Sequence, residues 1–353
     1  MNKAWLSACL VILVAGCGSA PEAPPAPPIL VPLFYGTDRM AISGAEPEET
    51  YSAELGPQTF GLAQVSIPPD HQTGQLEEPS LINLEFSEQS DRHVVLQSLT
   101  PTPQPTFLTA LQRHIRDTGN NAVFIFIHGY NVSFAEAARR TAQIAYDLDW
   151  QGTAILYSWP SAADTNSYDS DRENAVAAAQ DLAAFIETVA VYSGAAQVHV
   201  IAHSMGNEPL LAALALNAAS TSATGVPLLD QVVLAAPDVA ADEFSQLIVQ
   251  AAPAAKHFTL YVSKGDTALQ ASALFNDVPR AGDSSESVLI LPGVDTIDAT
   301  AAESDMVGHS YYGENRAILA DIFSLLKTGM PPDRRFGLQA ADSDGQKYWI
   351  LQP

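Results

Sequence analysis

The chain has 353 residues, 47% of them hydrophobic, so it can bury a large core and is not disordered throughout. Acidic residues outnumber basic ones 40 to 16, which gives a net charge of −24 at pH 7. So acidic a chain repels nucleic acid and offers no basic patch to anionic lipid, and a nucleic-acid partner is therefore not expected.

The first 16 residues have the pattern of a bacterial lipoprotein signal peptide. Residues 4–14, AWLSACLVILV, form an apolar run too short to span a bilayer as a folded anchor, and VAGC follows at 14–17. VAGC resembles the lipobox, whose cysteine is lipidated and becomes the mature N-terminus. We expect a lipid anchor on Cys17 in the cell envelope, and Gly18 implies the outer membrane facing the periplasm in a Gram-negative source. The alternative is a plain signal peptide with an incidental cysteine.

Residues 17–29 hold this cysteine and a proline-rich run, GSAPEAPPAPP, which predicts an extended tether between the membrane and the folded body. Short strand-like runs separated by turn residues follow over residues 30–104. They lack any catalytic spacing of residues. We therefore expect a strand-rich N-terminal extension of a main sheet.

Apolar strand-like runs alternate with helical runs over residues 105–330, where we expect the catalytic core. Runs so continuously apolar are typical of a mostly parallel sheet covered by helices on both faces. Ser133 and Glu136 have the spacing of a capping box at the start of one helix. The final residues, 331–353, are expected to be a C-terminal tail. The predicted fold class is α/β, and its ligands should bind at the carboxyl ends of the strands.

Serine, histidine, aspartate and glycine collect at those strand ends. The segments are HGYN (128–131), SWPS (158–161), AHSMG (202–206), APD (236–238), KGD (264–266) and, after the last strand, GHSYY (308–312). Ser204 stands between a buried strand and a helix, with the small residues Ala202 and Gly206 two positions away on either side. Small flanking residues let the strand and helix approach, as a G-x-S-x-G nucleophile elbow requires. The alternative is an ordinary serine that caps the helix.

A neutral serine needs a general base, which follows the serine and the acid in the usual chain order of such an elbow. His257 begins a strand and so lies at the wrong edge of the sheet, whereas His309 lies in a glycine-flanked loop after the last strand. His309 is therefore the predicted base. The acid that orients it is Asp266 or, as the alternative, Asp238; Asp266 has the commoner placement.

Two backbone N–H groups are the predicted donors to the oxyanion of the transition state. One belongs to Met205, directly after the serine, and the other to Tyr130, in the turn after the strand AVFIFI. Other residues of these two turns are expected to support the site: His128, Gly129, Asn131, His203 and Gly206.

Sequence motifs of other chemistries are missing. The chain has no H-E-x-x-H, no Walker A sequence and no Cys/His cluster with zinc spacing, so neither a metal nor a cofactor is expected. The acid pairs Asp169/Asp171 and Asp242/Glu243 are interpreted as solvated surface or helix-start charges.

Taken together, these residues resemble the α/β-hydrolase superfamily, and most of all a poorly characterised bacterial branch of esterase- and lipase-like proteins. The resemblance extends over FYGTDR (34–39), FGLAQVSIPPDHQTGQLEEP (60–79), HGYNVSFAEAARR (128–140), YSWPS with Tyr168 and Asp171, AHSMGN, APDVAADEF and GHSYY. It implies the α/β-hydrolase fold and a Ser204–Asp266–His309 triad, but no particular substrate. By analogy with the superfamily, the default expectation is cofactor-free hydrolysis of a small-molecule or lipid ester. The rival prediction is a non-catalytic envelope lipoprotein that uses this fold as a binding module or scaffold.

Overall fold

The computed structural model describes residues 26–79, 87–302 and 311–353. Its strands are β1 (Ile29–Ala41), β2 (Tyr51–Ile67), β3 (Val95–Thr102), β4 (Ala122–Ile127), β5 (Thr153–Ser158), β6 (Gln197–His203), β7 (Leu229–Ala235), β8 (Ala255–Val262), β9 (Val294–Asp298), β10 (Leu338–Ser343) and β11 (Gln346–Leu351). Its helices are α1 (Gln104–Thr118), α2 (Phe134–Asp147), α3 (Tyr168–Tyr192), α4 (Asn207–Thr224), α5 (Ala241–Ala251), α6 (Thr267–Asn276), α7 (Tyr311–Glu314) and α8 (Arg316–Thr328).

All eleven strands join one sheet, in the order β10-β11-β9-β8-β7-β6-β4-β5-β1-β2-β3. The central strands from β4 to β9 pair in parallel, and β1 also pairs in parallel with β5. At one end β1, β2 and β3 are antiparallel, which confirms that the N-terminal strands extend a main sheet. The mostly parallel sheet of the predicted fold class is therefore confirmed.

Two apolar cores cover the two faces of this sheet. Phe107 of α1, Leu182 of α3 and Leu211 of α4 belong to one core, and Phe134 of α2 and Ile322 of α8 belong to the other. Successive residues of β4 alternate between the two cores, which is why that strand is continuously apolar. Helices therefore lie on both faces, and the polar residues at the strand ends are left at one edge.

Local helix signals give the expected start of α2. Ser133 accepts a hydrogen bond from the Glu136 N–H, and the Glu136 side chain accepts one from the Ser133 N–H, so the predicted capping box is confirmed. Among the described residues one helix, α3, is long and apolar enough to span a membrane, and half of its most apolar stretch is buried within the protein.

The C-terminal segment differs from the expected tail. Within residues 331–353, β10 and β11 form an antiparallel hairpin, and β11 pairs in parallel with β9 at the edge of the sheet. Asp344 and Gly345 join the two strands and both have positive φ, as a two-residue type I′ turn requires. The Asp-Gly pair before an alternating strand was the sequence signal for this hairpin.

Candidate active site

Ser204 occupies the turn between β6 and α4 in a strained backbone conformation. Its φ is +53°, which few residues other than glycine adopt, and its side chain is buried. The residue at the N-cap of α4 is Gly206, and no side chain caps that helix. A capping serine has extended backbone and accepts from the first helical N–H groups, so the helix-cap interpretation of Ser204 is wrong. The geometry is that of a nucleophile elbow.

Two glycines let the turn after β4 lie directly against this elbow. A Cβ atom on Gly206 would lie 2.2 Å from the carbonyl oxygen of His128, and one on Gly129 would lie 2.7 Å from the Cβ of Ser204. Neither position can carry a side chain without movement of the backbone. The structure therefore brings together the two turns that the sequence predicted to hold the nucleophile and an oxyanion donor.

Asn207 stabilises the elbow through its side chain, although the sequence analysis predicted no role for it. Its buried side chain donates a hydrogen bond to the carbonyl oxygen of Ser204 at 2.9 Å and also approaches the carbonyl oxygen of Ala235, at the end of β7, at 3.3 Å. The signal available in the sequence was a polar residue directly after AHSMG, at the start of α4. The contact fixes the peptide group beside the strained serine.

His128 orients the peptide group that carries the expected Tyr130 donor. Its Nδ1 lies 2.8 Å from the carbonyl oxygen of Gly129, which can only accept, so Nδ1 carries the proton. Because a trans peptide is planar with its C=O and N–H opposed, the N–H of Tyr130 points away from the imidazole. Within the described residues this N–H has no hydrogen-bond acceptor, as a donor reserved for a ligand requires.

The His128 ring is neutral and firmly held. Its Nε2 accepts from the hydroxyl of Ser158 at 3.0 Å, and the ring stacks on Trp159 with centroids 5.0 Å apart. Complete burial, helped by the charge of Arg39, lowers the pKa of His128 to about 3. His128 is therefore a positioning residue rather than an acid or base at neutral pH.

Arg39, at the end of the FYGTDR run, holds the turns after β4 and β5 together. Its guanidinium is buried and donates to the hydroxyl of Ser158 at 2.9 Å and to the carbonyl oxygens of Ser161 at 2.8 Å and Val132 at 2.6 Å. Burial lowers the pKa of Arg39 to about 10, so it remains charged at neutral pH. Such a charge is stable in the interior only with its donors satisfied.

Asp171 is a buried acid whose negative charge complements that of Arg39, so the interpretation of Asp171 as a solvated charge is wrong. It lies in the first turn of α3, as expected, but it is fully buried. Its carboxylate accepts from the hydroxyl of Ser161, from the N–H of Ala162 at 2.7 Å and from the N–H of Asn131 at 3.3 Å. The backbone N–H of Asn131 therefore helps to orient the turn.

The two candidate acids differ in what surrounds them. Asp238 follows β7 and accepts from the hydroxyls of Tyr168 at 3.0 Å and Ser272 at 2.6 Å, and Nε of Arg280 lies 3.3 Å away. Asp266 follows β8, is buried, and caps α6 by accepting from the N–H of Leu269 at 3.0 Å. The Asp238 carboxylate is therefore committed to neighbours on α3 and α6.

The remaining predicted residues are placed as follows. Met205 follows Ser204 in the short 3-10 turn of the elbow and has its side chain in the core, and His203 ends β6 beside Gly129. His309 and Cys17 lie outside the residues that the structure describes, so the expected base and lipid anchor stay predictions.

A cleft of about 640 Å³ opens beside the two turns. His203 and the turn after β4 form one wall, and the loop between β2 and β3 forms another. The described residues that line it are Thr73, Gly74, Gln75, Leu76, Glu78, Phe126, His128, Gly129, Tyr130, Asn131, Val132, Glu136, Ala137, Arg140, His203 and Glu314. Among the described residues no group of three or more His, Cys, Asp or Glu side chains could hold a metal ion.

The sheet, its covering helices and the elbow define an α/β hydrolase. The chain belongs to the family described as alpha/beta hydrolase of unknown function (DUF900), whose model matches residues 104–327, more than half of the chain. None of the curated proteins matches the chain.

Several solved structures are similar at low identity, and two of them illustrate the range. One is a zinc-bound, cold-adapted esterase from an Arctic intertidal metagenomic library, with 12% identity, 77% of this chain and 89% of that chain covered, and a TM-score of 0.36. The other is the Pyrococcus furiosus esterase Pf2001, with 17% identity, coverage of 60% and 83%, and a TM-score of 0.34. Similarities this distant carry no argument about activity, and the family assignment rests on the family model.

Proposed function

We propose that this α/β hydrolase is a serine hydrolase that cleaves carboxylic esters through an acyl-enzyme. The observation that carries the proposal is the backbone of Ser204, strained at a φ of +53° between a buried strand and a helix. Strain of this kind costs about 1–3 kcal/mol and persists where the surrounding structure holds it. Asn207, Gly129 and Gly206 hold it here, and a helix-capping serine would need none of them.

In the proposed mechanism, Ser204 Oγ attacks the ester carbonyl carbon while His309 accepts the hydroxyl proton. The N–H groups of Tyr130 and Met205 donate to the resulting oxyanion. Collapse of the tetrahedral intermediate breaks the bond to the alcohol oxygen, which leaves with the proton from His309. Water then attacks the acyl-enzyme carbonyl while His309 accepts its proton. Collapse of this second intermediate returns the proton to Ser204 Oγ and releases the carboxylic acid. Asp266 orients His309 and stabilises its charged form.

The rival function is a non-catalytic binding module on the same fold, and covalent labelling separates the two. A fluorophosphonate probe should label the wild-type protein and a Ser170→Ala control, which removes an exposed serine of α3, but not Ser204→Ala. Hydrolysis of p-nitrophenyl acetate should follow the same pattern. Thermal melting should show that both variants fold. A folded wild-type protein that neither labels nor turns over the ester would refute the proposal.

Attachment to the membrane of the cell envelope through lipidated Cys17 is proposed alongside, on the sequence VAGC alone. The full-length protein should partition into membranes, and Cys17→Ser should release it. Globomycin, which blocks the lipoprotein signal peptidase, should prevent its processing. A soluble wild-type protein would contradict the anchor and leave the hydrolase proposal unaffected.

A further inference from the structure

Three aromatic rings run in contact from the oxyanion turn towards the surface. Tyr130 meets Tyr168 edge-on with ring centroids 5.3 Å apart, and Tyr168 meets Phe275 edge-on at 5.8 Å. The residues come from the turn after β4, the first turn of α3 and the end of α6. Tyr130 and Tyr168 are partly buried and Phe275 is exposed, so the row, which we call the aromatic track, reaches solvent.

The inner end of the aromatic track coincides with the proposed chemistry. The ring of Tyr130 belongs to the residue whose N–H is the proposed oxyanion donor. The Tyr168 ring is held in place, because its hydroxyl donates to Asp238 and contacts Ser272. A fixed apolar ring beside an oxyanion hole is suited to bind the apolar part of a substrate whose carbonyl lies in the hole.

The outer end is unusually apolar for the surface of so acidic a chain. Phe275 is 69% exposed and its neighbour Leu274 is 85% exposed. Although Phe275 is near the end of α6, its contact with Tyr168 in the first turn of α3 brings its ring to the row that starts at the oxyanion turn. Single exposed apolar residues are ordinary, but an exposed ring that continues a row of rings from a site extends the apolar surface available to a ligand.

We infer that the aromatic track, Tyr130–Tyr168–Phe275, binds an extended hydrocarbon chain of the ester substrate. The inference rests on the proposed function and makes its substrate class more specific: esters with a long apolar chain rather than acetyl esters of small polar alcohols. The chain lies along the rings and covers Phe275. Burial of that apolar surface supplies binding energy roughly in proportion to the area removed from water.

The test compares a long with a short acyl chain on Phe275→Ser. Loss of one aromatic contact should lower the ratio of kcat/KM for p-nitrophenyl octanoate to that for p-nitrophenyl acetate roughly tenfold. Val249→Ser, which removes an equally exposed apolar side chain of α5, should leave this ratio unchanged. p-Nitrophenyl octanoate carries its long chain on the acyl side of the carbonyl, and octyl acetate carries it on the alcohol side. The ester whose turnover falls in Phe275→Ser therefore shows whether the aromatic track binds the acyl chain or the alcohol chain. An unchanged ratio for both long esters would overturn the inference.

Binding separates failure of this inference from failure of the proposed function. In Ser204→Ala, titration calorimetry with octyl acetate should show binding that is weakened roughly tenfold when Phe275→Ser is added. If the wild-type protein hydrolyses no ester but this difference is found, the track stands as a binding surface and the catalytic proposal falls. If esters are hydrolysed but chain length and Phe275 have no effect on turnover or binding, only the track falls.

Discussion

The turn after β4 and the turn that holds Ser204 are so close together that two positions between them must be glycine. Gly129 faces Ser204 and His203, and Gly206 faces the carbonyl of His128. The oxyanion proposal requires this approach, since N–H donors act only within about 3 Å of the developing charge. A methyl group is therefore the smallest change that tests it.

Gly129→Ala should abolish most of the activity while the protein remains folded. The new Cβ would lie 2.7 Å from the Cβ of Ser204 and 3.0 Å from Nδ1 of His203, so the turn must move and take the Tyr130 N–H with it. Displacing one oxyanion donor costs roughly 10²- to 10³-fold in kcat, measured with p-nitrophenyl acetate. Gly194→Ala, at a positive φ with open space around it, should cost about 1 kcal/mol of stability and leave kcat intact. Equal kcat in both variants would contradict the placement of the donor.

The choice of triad acid can be tested with two asparagine substitutions. Asp266→Asn should lower kcat by roughly 10⁴-fold, because an amide stabilises the wrong imidazole tautomer, and it should fold normally since asparagine caps helices as well as aspartate. Asp238→Asn should reduce kcat far less, because Asp238 is occupied by Tyr168, Ser272 and Arg280. The kcat values of the two variants, measured with p-nitrophenyl acetate, identify the triad acid. If Asp238→Asn had the lower kcat, Asp238 would be the acid.

At the scale of elements, the loop between β2 and β3 is fixed to α2 by a charged histidine. His71 lies between two carboxylates, with Nδ1 2.8 Å from Glu77 and Nε2 2.9 Å from Asp147. Asp147 also accepts from the N–H of Gly74 at 2.7 Å. A Cβ on Gly74 would meet the carbonyl oxygen of Glu314 at 2.1 Å, so the loop packs directly on α7. The loop that lines the cleft is thus held at both sides.

His71→Gln should destabilise the protein most at neutral and acidic pH. Burial by itself lowers the pKa of His71, but the hydrogen bonds and charges of Asp147 and Glu77 outweigh it and raise the pKa to about 9. Since this exceeds the unfolded value of about 6.5, the stabilisation is fully present below pH 6.5 and is lost as the pH rises through 9. We expect a loss of about 3 kcal/mol at pH 6 and much less at pH 9.5, from urea unfolding.

His257→Gln is the matched control, because His257 is exposed on β8. It should change the free energy of unfolding by less than about 0.5 kcal/mol at either pH. If His71→Gln produced the same loss at pH 6 and pH 9.5, the charged clamp would be wrong and His71 would contribute through packing alone.

The sequence predicted the secondary-structure elements and the active-site turns better than the buried polar contacts that hold these turns in place. The βα array and the elbow follow from local signals: apolar runs that end in small and polar residues. Arg39 and Asp171 act through partners distant in sequence; Arg39 and Ser158, for example, are 119 positions apart. No local pattern distinguishes such a buried charge from a solvated one, because its neutralising partners meet it only in the folded sheet. The Asp-Gly hairpin, by contrast, was local and could have been predicted.

At the scale of the whole molecule, stability in acid depends on buried neutral histidines as well as on the large negative charge. His199 on β6 is 1% exposed, and among the described residues neither of its ring nitrogens has a hydrogen-bond partner. Burial lowers the pKa of His199 to about 4. Between pH 6.5 and 4 the unfolded chain therefore binds a proton that the folded chain does not, and stability falls by about 1.4 kcal/mol per pH unit from this group.

His199→Leu should remove that penalty and make the protein more resistant to acid. Relative to wild type, the free energy of unfolding should rise by about 1.4 kcal/mol between pH 7.5 and pH 5.5, whatever offset the change in packing adds at both. Urea unfolding at these two pH values measures the difference in the free energy of unfolding. The lower value, pH 5.5, is above the pI of about 4.4, near which the chain would lose its net charge and its solubility. His257→Leu should show no such pH-dependent gain. A constant difference at both pH values would mean that His199 is charged in the folded state or that its site admits water.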